Sequence, residues 1–182
     1  TKNVNEYILR KNIGYTSQKP YLFTGTLAEN LYLDNMCDDK EYRNSVLHIT
    51  GLSELMEELP GGEKFRIAEN GNNLSGGQKQ RLCIARALLG KAKILIFDDS
   101  TSAVDTATEK KIRKALASYQ DVTKIIIAQR ITSVMNTDQI VILDDGKIHK
   151  VGTHKDLLAN DSIYQEIYAS QMKGGDSDGS EE

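Results

Sequence analysis

The spacing of apolar positions changes character several times along the chain. Asn12 to Thr16 is strand-like, and Ser17-Gln18-Lys19-Pro20 ends it in a loop, because proline biases its predecessor away from helix. From Thr26 to about Leu59 the residues Leu27, Leu31, Val46, Ile49, Leu52, Leu55 and Met56 recur at helical spacing. Pro60-Gly61-Gly62 then stops the pattern, which predicts a small helical subdomain. A polar run, Glu69-Asn70-Gly71-Asn72-Asn73, leads into Leu74-Ser75-Gly76-Gly77-Gln78. Beyond it Leu82, Ile84, Ala85, Leu88 and Leu89 form a helical stripe closed by Gly90, so the paired glycines stand at a helix N-terminus.

The second half alternates strand and helix. Ile94 to Phe97, Lys124 to Ala128 and Gln139 to Leu143 are short β-branched runs. An amphipathic helix lies between the first two, with Thr106-Ala107-Thr108-Glu109 fitting a capping box, and this βαβ order predicts a parallel sheet. Asp144-Asp145-Gly146-Lys147 is a hairpin turn signal between Ile140-Val141-Ile142-Leu143 and Ile148-His149-Lys150-Val151. One last helix is expected over roughly Lys155 to Gln171. Gly174 to Glu182 contains only Gly, Ser, Asp and Glu and is expected to be a disordered tail.

Composition narrows the class. The chain has 182 residues, 39% of them hydrophobic, and a net charge of -3, enough for one domain with a core. Ile94-Leu95-Ile96-Phe97 and Ile125-Ile126-Ile127-Ala128 fall far short of the roughly 20 apolar residues a membrane helix needs. No basic tract marks a nucleic-acid partner. Cys37 and Cys83 have neither CxxC spacing nor the density of a disulfide scaffold, and suit a reducing cytoplasm. The chain opens on Thr1 without an initiator Met, and its start is read as a cut.

Candidate chemistry sits at two element ends. At Leu74 to Gln78, two glycines and a serine at a helix start let backbone N–H groups and a hydroxyl approach an anion, with the helix dipole in support. A bare Ser-Gly-Gly is better explained by a capped glycine turn. Ile94-Leu95-Ile96-Phe97-Asp98-Asp99 is an apolar strand delivering two carboxylates at its C-terminal end, where open α/β sheets place ligands. Asp99 also suits a turn cap beside Ser100 and Thr101, and Asp105 an ordinary helix N-cap.

Leu74-Ser75-Gly76-Gly77-Gln78-Lys79-Gln80-Arg81 followed by Ala85-Arg86-Ala87-Leu88 resembles, without a break, the signature motif and helix of ABC ATPases. Ile94 to Asp99 resembles their Walker B element, Ser102-Ala103-Val104-Asp105 their D-loop and Gln18 their Q-loop. Leu22-Phe23-Thr24-Gly25-Thr26-Leu27-Ala28-Glu29-Asn30 and Gly152-Thr153-His154-Lys155-Asp156-Leu157-Leu158 resemble the exporter branch. The resemblance implies an α/β fold of the P-loop NTPase (RecA-like) type over residues 1–173. Its parts would be a parallel-sheet core, a helical signature subdomain at about residues 26–90 and a C-terminal antiparallel hairpin. It also implies ATP and Mg²⁺ as cofactors. Asp98 and Gln18 would meet the metal, and Asp99, Gln129 and Gln18 would take the catalytic positions. Leu74, Ser75, Gly76, Gly77, Gln78 and Asp105 would meet nucleotide across a dimer.

Three departures qualify these implications. Asp99 stands where the family usually has a glutamate, and the missing methylene costs about 1.5 Å of reach. A misplacement near 1 Å in a catalytic array can cost on the order of 100-fold. Ala128-Gln129-Arg130 stands where the family usually reads Ala-His-Arg, and glutamine cannot take up a proton. None of His48, His149 and His154 lies where it could replace that histidine. No Gly-x-x-x-x-Gly-Lys-Ser/Thr occurs, so the phosphate loop and first strands are expected upstream of Thr1.

The expectation is a hydrolysis-impaired nucleotide-binding domain of a heterodimeric exporter at the cytoplasmic membrane face. Its partners would be a second such domain and the coupling helices of a transmembrane domain. The alternative is an ATP-dependent dimerisation module of a non-transport ABC protein, and a blander one is that the fragment alone is inactive.

Overall fold

The computed structural model describes residues 4–33, 37–101, 103–119 and 121–175, and the chain divides between Ile127 and Ala128 into two units. The first opens with helix α1 (Glu6–Lys11), capped by the Asn5 side chain and burying none of its residues. With no apolar face to bury, it left no periodic signal in the sequence. Its local signals are the cap, an acidic first turn and a basic last turn.

There follow β1 (Ile13–Thr16), β2 (Gly25–Thr26), α2 (Leu27–Tyr32), α3 (Lys40–Ile49), α4 (Leu52–Glu58), β3 (Arg66–Ile67), α5 (Gly76–Leu89), β4 (Ile94–Asp98), α6 (Thr106–Ser118) and β5 (Thr123–Ile127). The expected parallel sheet is present, with β4 between β1 and β5. Ile13 pairs with Ile94 and Thr16 with Phe97 on one side, and Ile94 with Thr123 and Asp98 with Ile127 on the other. Helix α6 makes the crossover from β4 to β5, as a parallel connection requires.

The helical segment also forms where its apolar spacing predicts. Leu27, Leu31, Val46, Leu52 and Leu55 join Leu82, Ile84 and Leu88 of α5 and Leu95 and Phe97 of β4 in one buried cluster. Gly61 and Gly62, at φ +82° and +55°, take the left-handed backbone that ends this region after Pro60.

Helix α5 lies close on β1. A Cβ built on Gly14 would sit 2.7 Å from Leu95 Cδ2 and 2.9 Å from the Ala87 carbonyl oxygen, so only glycine allows this approach. Two expected details shift. The helix-closing residue is not a left-handed Gly90, which stays right-handed at φ -66°; Lys91, at φ +47°, makes the turn. Helix α6 is capped by Asp105 rather than by a box starting at Thr106, since the Asp105 carboxylate accepts from the Thr108 N–H at 2.9 Å.

The second unit contains α7 (Ile131–Val134), β6 (Ile140–Asp144), β7 (Lys147–Gly152), α8 (His154–Asn160) and α9 (Ser162–Gly175). Strands β6 and β7 form the antiparallel hairpin, and Asp145 and Gly146 turn it with φ of +45° and +73°, the pattern of a type I′ turn. Ile131, Ile140, Leu157 and Tyr164 are its core.

The single last helix expected over Lys155 to Gln171 is two. Asp161 leaves helical backbone at φ -139° and its carboxylate accepts from the Tyr164 N–H at 2.9 Å, so an acid read as mid-helix starts a second helix instead. Helix α9 takes in the first two residues of the expected tail, and residues 176–182 lie outside the described residues. Among the described residues no helix is long and apolar enough to cross a membrane.

Candidate functional site

Because β4 is the central strand, its C-terminal end brings Asp98 and Asp99 out between the ends of β1 and β5. Tyr15 of β1 donates its hydroxyl to Asp98 Oδ2 at 3.0 Å, and Gln18, just past that strand, donates Nε2 to Asp99 Oδ2 at 3.3 Å. The Asp99 N–H donates to the Ile127 carbonyl at 2.8 Å, while the residue adopts φ +44°. That left-handed conformation is uncommon away from glycine, although aspartate tolerates it better than most residues. The structure therefore gathers Gln18, Asp98 and Asp99. The hydrogen bond to Asp98, followed by desolvation and the nearby negative charge, pushes the Tyr15 phenol above its ordinary pKa.

Leu74 to Gln78 forms the entry to α5. Ser75 is the N-cap: its hydroxyl accepts from the Gln78 N–H at 3.2 Å, and Gln78 Oε1 accepts from the Ser75 N–H at 2.8 Å. This reciprocal capping box satisfies two donors that a helix start otherwise leaves open. Leu74 is buried beneath it, whereas Ser75 and Gly76 are exposed. A Cβ on Gly76 would meet nothing within 4 Å, so the backbone there is open to an approaching group. Upstream, Asn73 holds the loop by accepting from the Ala68 N–H and donating to the Arg66 carbonyl.

Gly77 is where the signature meets the loop beyond the acids. A Cβ on it would lie 2.8 Å from the Ala103 carbonyl oxygen, so this loop passes directly over the start of α5. Ser102 of the same loop lies outside the described residues. The carboxylate of Asp105 is committed to capping α6, and the Thr108 N–H it accepts holds its pKa below the ordinary value.

Gln129 belongs to the second unit, where its carbonyl accepts from Gln171 Nε2 at 2.8 Å. The histidines have other partners. His48 Nδ1 lies 3.6 Å from Glu54, His149 Nε2 lies 2.9 Å from Asp161, and His154 Nδ1 is 2.7 Å from the Tyr164 hydroxyl.

Two residues quoted in the motif strings prove to organise the site's surroundings. Asn30, fully buried, accepts from the Phe23 N–H and donates to the Phe23 and Thr26 carbonyls, which fixes the segment after Gln18. Arg86 of α5 donates Nε to the Asn30 carbonyl at 2.7 Å and Nη1 to the Tyr21 carbonyl at 3.2 Å. Burial lowers its pKa. The charge-assisted bonds to neutral carbonyls tie the signature helix to the Gln18 loop. Tyr15 and Gln171 carried no motif and had no signal in one sequence.

A Mg²⁺ ion prefers hard oxygen ligands and keeps several waters. Asp98, Asp99 and the Gln18 side-chain oxygen are such donors, close together at strand ends, and the buried hydroxyls of Thr16 and Ser100 have no hydrogen-bond partner. No group of three or more His, Cys, Asp or Glu could alone hold a metal among the described residues. The set fits a magnesium ion that shares its shell with water and phosphate, not an all-protein cage.

A parallel sheet presenting paired acids beside a glycine-started helix is the mark of a nucleotide-binding α/β domain. The chain belongs to the ABC transporter family, whose model matches residues 2–102. Its fold is similar to that of part of a bacterial Atm1-family ABC exporter with ATP bound, at a TM-score of 0.86 and 34% identity, covering 93% of this chain and 30% of that one. It is 42% identical over 164 residues to the uncharacterized ABC transporter ATP-binding protein YfiB of Bacillus subtilis (strain 168), covering 90% of this chain and 28% of that protein. It is 40% identical over 179 residues to the ATP-dependent lipid A-core flippase of Haemophilus influenzae (strain 86-028NP), covering 94% of this chain and 30% of that one. The chain thus spans under a third of the length of these relatives.

Proposed function

We propose that this chain is one nucleotide-binding domain of an ABC exporter, coupling ATP binding and hydrolysis in a domain dimer to export through a transmembrane domain. In this reading its signature completes the ATP site of a different, catalytically competent partner domain, while the site built on its own acids hydrolyses slowly. The domain works at the cytoplasmic face of the membrane, where coupling helices of the transmembrane part engage it. Relatives named as exporters and a flippase support the transport role.

The observation that carries the asymmetry is the contrast between a complete, outward-facing capping box at Ser75 and an aspartate at position 99 that Gln18 already reaches at 3.3 Å. Ser75, Gly76 and Gly77 offer a hydroxyl and backbone N–H groups at the positive end of a 14-residue helix, suited to phosphate oxygens of a nucleotide held by the partner. Gln78 holds Ser75 in place, Leu74 anchors the loop in the core, and Asp105 fixes the start of α6 beside it. Asp98 and Gln18 would hold Mg²⁺, which when bound neutralises phosphate charge. Asp99, one methylene shorter than glutamate, is poorly placed to orient the attacking water. Gln129 can hydrogen-bond at the phosphate end but supplies no positive charge.

ATPase turnover of the assembled transporter tests this. Asp99→Asn should leave turnover within about twofold, whereas replacing the partner's catalytic acid by its amide should reduce it by on the order of 100-fold or more. A comparable collapse in Asp99→Asn would sink the asymmetric reading.

A further inference from the structure

The segment that carries Gln129 is held from far along the chain. Helix α7 is a single turn, and its N-cap residue, Arg130, gives it no side-chain hydrogen bond. A helix start leaves its first N–H groups without intrahelical partners, so a buried start needs an acceptor from elsewhere. Ile131 is buried, and its N–H donates to Gln171 Oε1 at 2.8 Å. The other arm of the same carboxamide, Nε2, donates to the Gln129 carbonyl at 2.8 Å. One side chain of α9 therefore clasps the backbone on both sides of Arg130, across 40 and 42 residues of sequence.

The chemistry demands an amide. A carboxamide carries a donor and an acceptor side by side on one planar group; glutamate would keep the acceptor alone and lysine a donor alone. Asparagine has the same group on a shorter stem. Helix α9 is itself anchored, because Tyr164 is buried, its N–H is bonded to Asp161 and its hydroxyl to His154. The α8–α9 corner thus sets where Gln171 can reach.

We propose that Gln171 is a positioning residue for the switch segment: it fixes the peptides flanking Arg130, aims the Gln129 side chain, and makes α9 a control element for that position. This rests on the reading of Gln129 as the switch residue. Gln171 itself touches no reacting group.

The test is hydrogen–deuterium exchange of the Gln129 to Met135 segment in the assembled transporter. Gln171→Met keeps length and apolar packing but loses both bonds, and should speed exchange at Ile131 by roughly tenfold. Gln171→Glu keeps the acceptor for Ile131 but sets a carboxylate oxygen against the Gln129 carbonyl, so Ile131 should keep more of its protection than in Gln171→Met, a split that packing alone would not produce. Unchanged exchange in Gln171→Met overturns the proposal whether or not the asymmetric reading survives the Asp99→Asn test.

A second measurement follows release of a fluorescent ATP analogue. Gln171→Met should change the release rate several-fold with Gln129 present and leave it unchanged in a Gln129→Ala background. An equal change in both backgrounds would overturn the link to Gln129. Should Gln171→Met fail to fold, Gln171→Leu, which also loses both bonds, takes its place in both readouts.

Discussion

The signature end of α5 and the acid end of β4 lie in the same unit and are held in opposite ways. At the signature, Ser75 and Gln78 satisfy each other across three residues, and Asn73 closes the preceding loop across five and seven. At the acids, the partners are Tyr15 and Gln18, 83 and 81 residues distant, and they arrive only through strand pairing. The acid end also carries a left-handed aspartate and two buried hydroxyls without partners. A locally satisfied site keeps its shape whenever its helix forms. A site assembled by topology depends on every neighbouring strand.

The sharpest way to break this contrast is at Gly77, where the two regions touch. Gly77→Ala places a methyl 2.8 Å from the Ala103 carbonyl, a backbone atom that cannot rotate away. Overpacking of this kind should cost about 2 kcal/mol, measured by urea unfolding. A stability equal to wild type would show that the loop is not pressed on the helix.

A smaller effect tests the strain at the acid end. Asp99→Gly and Asp99→Ala both remove the carboxylate, but only glycine takes φ +44° freely. The glycine variant should be the more stable of the two by about 1 kcal/mol. Equal urea midpoints would remove the case for a strained position.

The smallest effect concerns pH. The folded pKa of Asp105 is lowered, chiefly because its carboxylate accepts from the Thr108 N–H. A lowered folded value stabilises above the unfolded pKa of about 3.9, and that contribution is lost as pH falls through the folded pKa. Asn caps as well as Asp, so Asp105→Asn should match wild type near neutrality and lose less stability below about pH 4. Identical acid profiles for the two proteins would count against the cap as a titrating contact.

The same contrast explains what one sequence discloses. The capping box at Ser75, the glycine stop after Pro60 and the Asp145-Gly146 turn are local, so residue types a few positions apart suffice to read them. The parallel sheet was legible because β4, α6 and β5 each keep a distinct apolar period. Asp161 was misread for want of context, since an aspartate within an apparent helical run looks like a surface residue until its carboxylate is seen to bind the Tyr164 N–H. Helix α1 buries nothing and so had no stripe to find. Arg86 on the Tyr21 carbonyl and Gln171 on both sides of Arg130 are side chains bonded to distant backbone, whose chemistry is indifferent to the partner's residue type. Such bonds leave no pattern along a chain.

The close seating of α5 on β1 at Gly14 has a mechanical consequence. Most helices rest on a sheet through side chains that can tilt and absorb a displacement, but here the Ala87 carbonyl meets the strand's backbone with no room for even a methyl group between them. The joint is stiff and has almost no play. Under the proposed function, a push delivered at Ser75 by a partner domain would pass along α5 into β1, the strand that leads to Gln18.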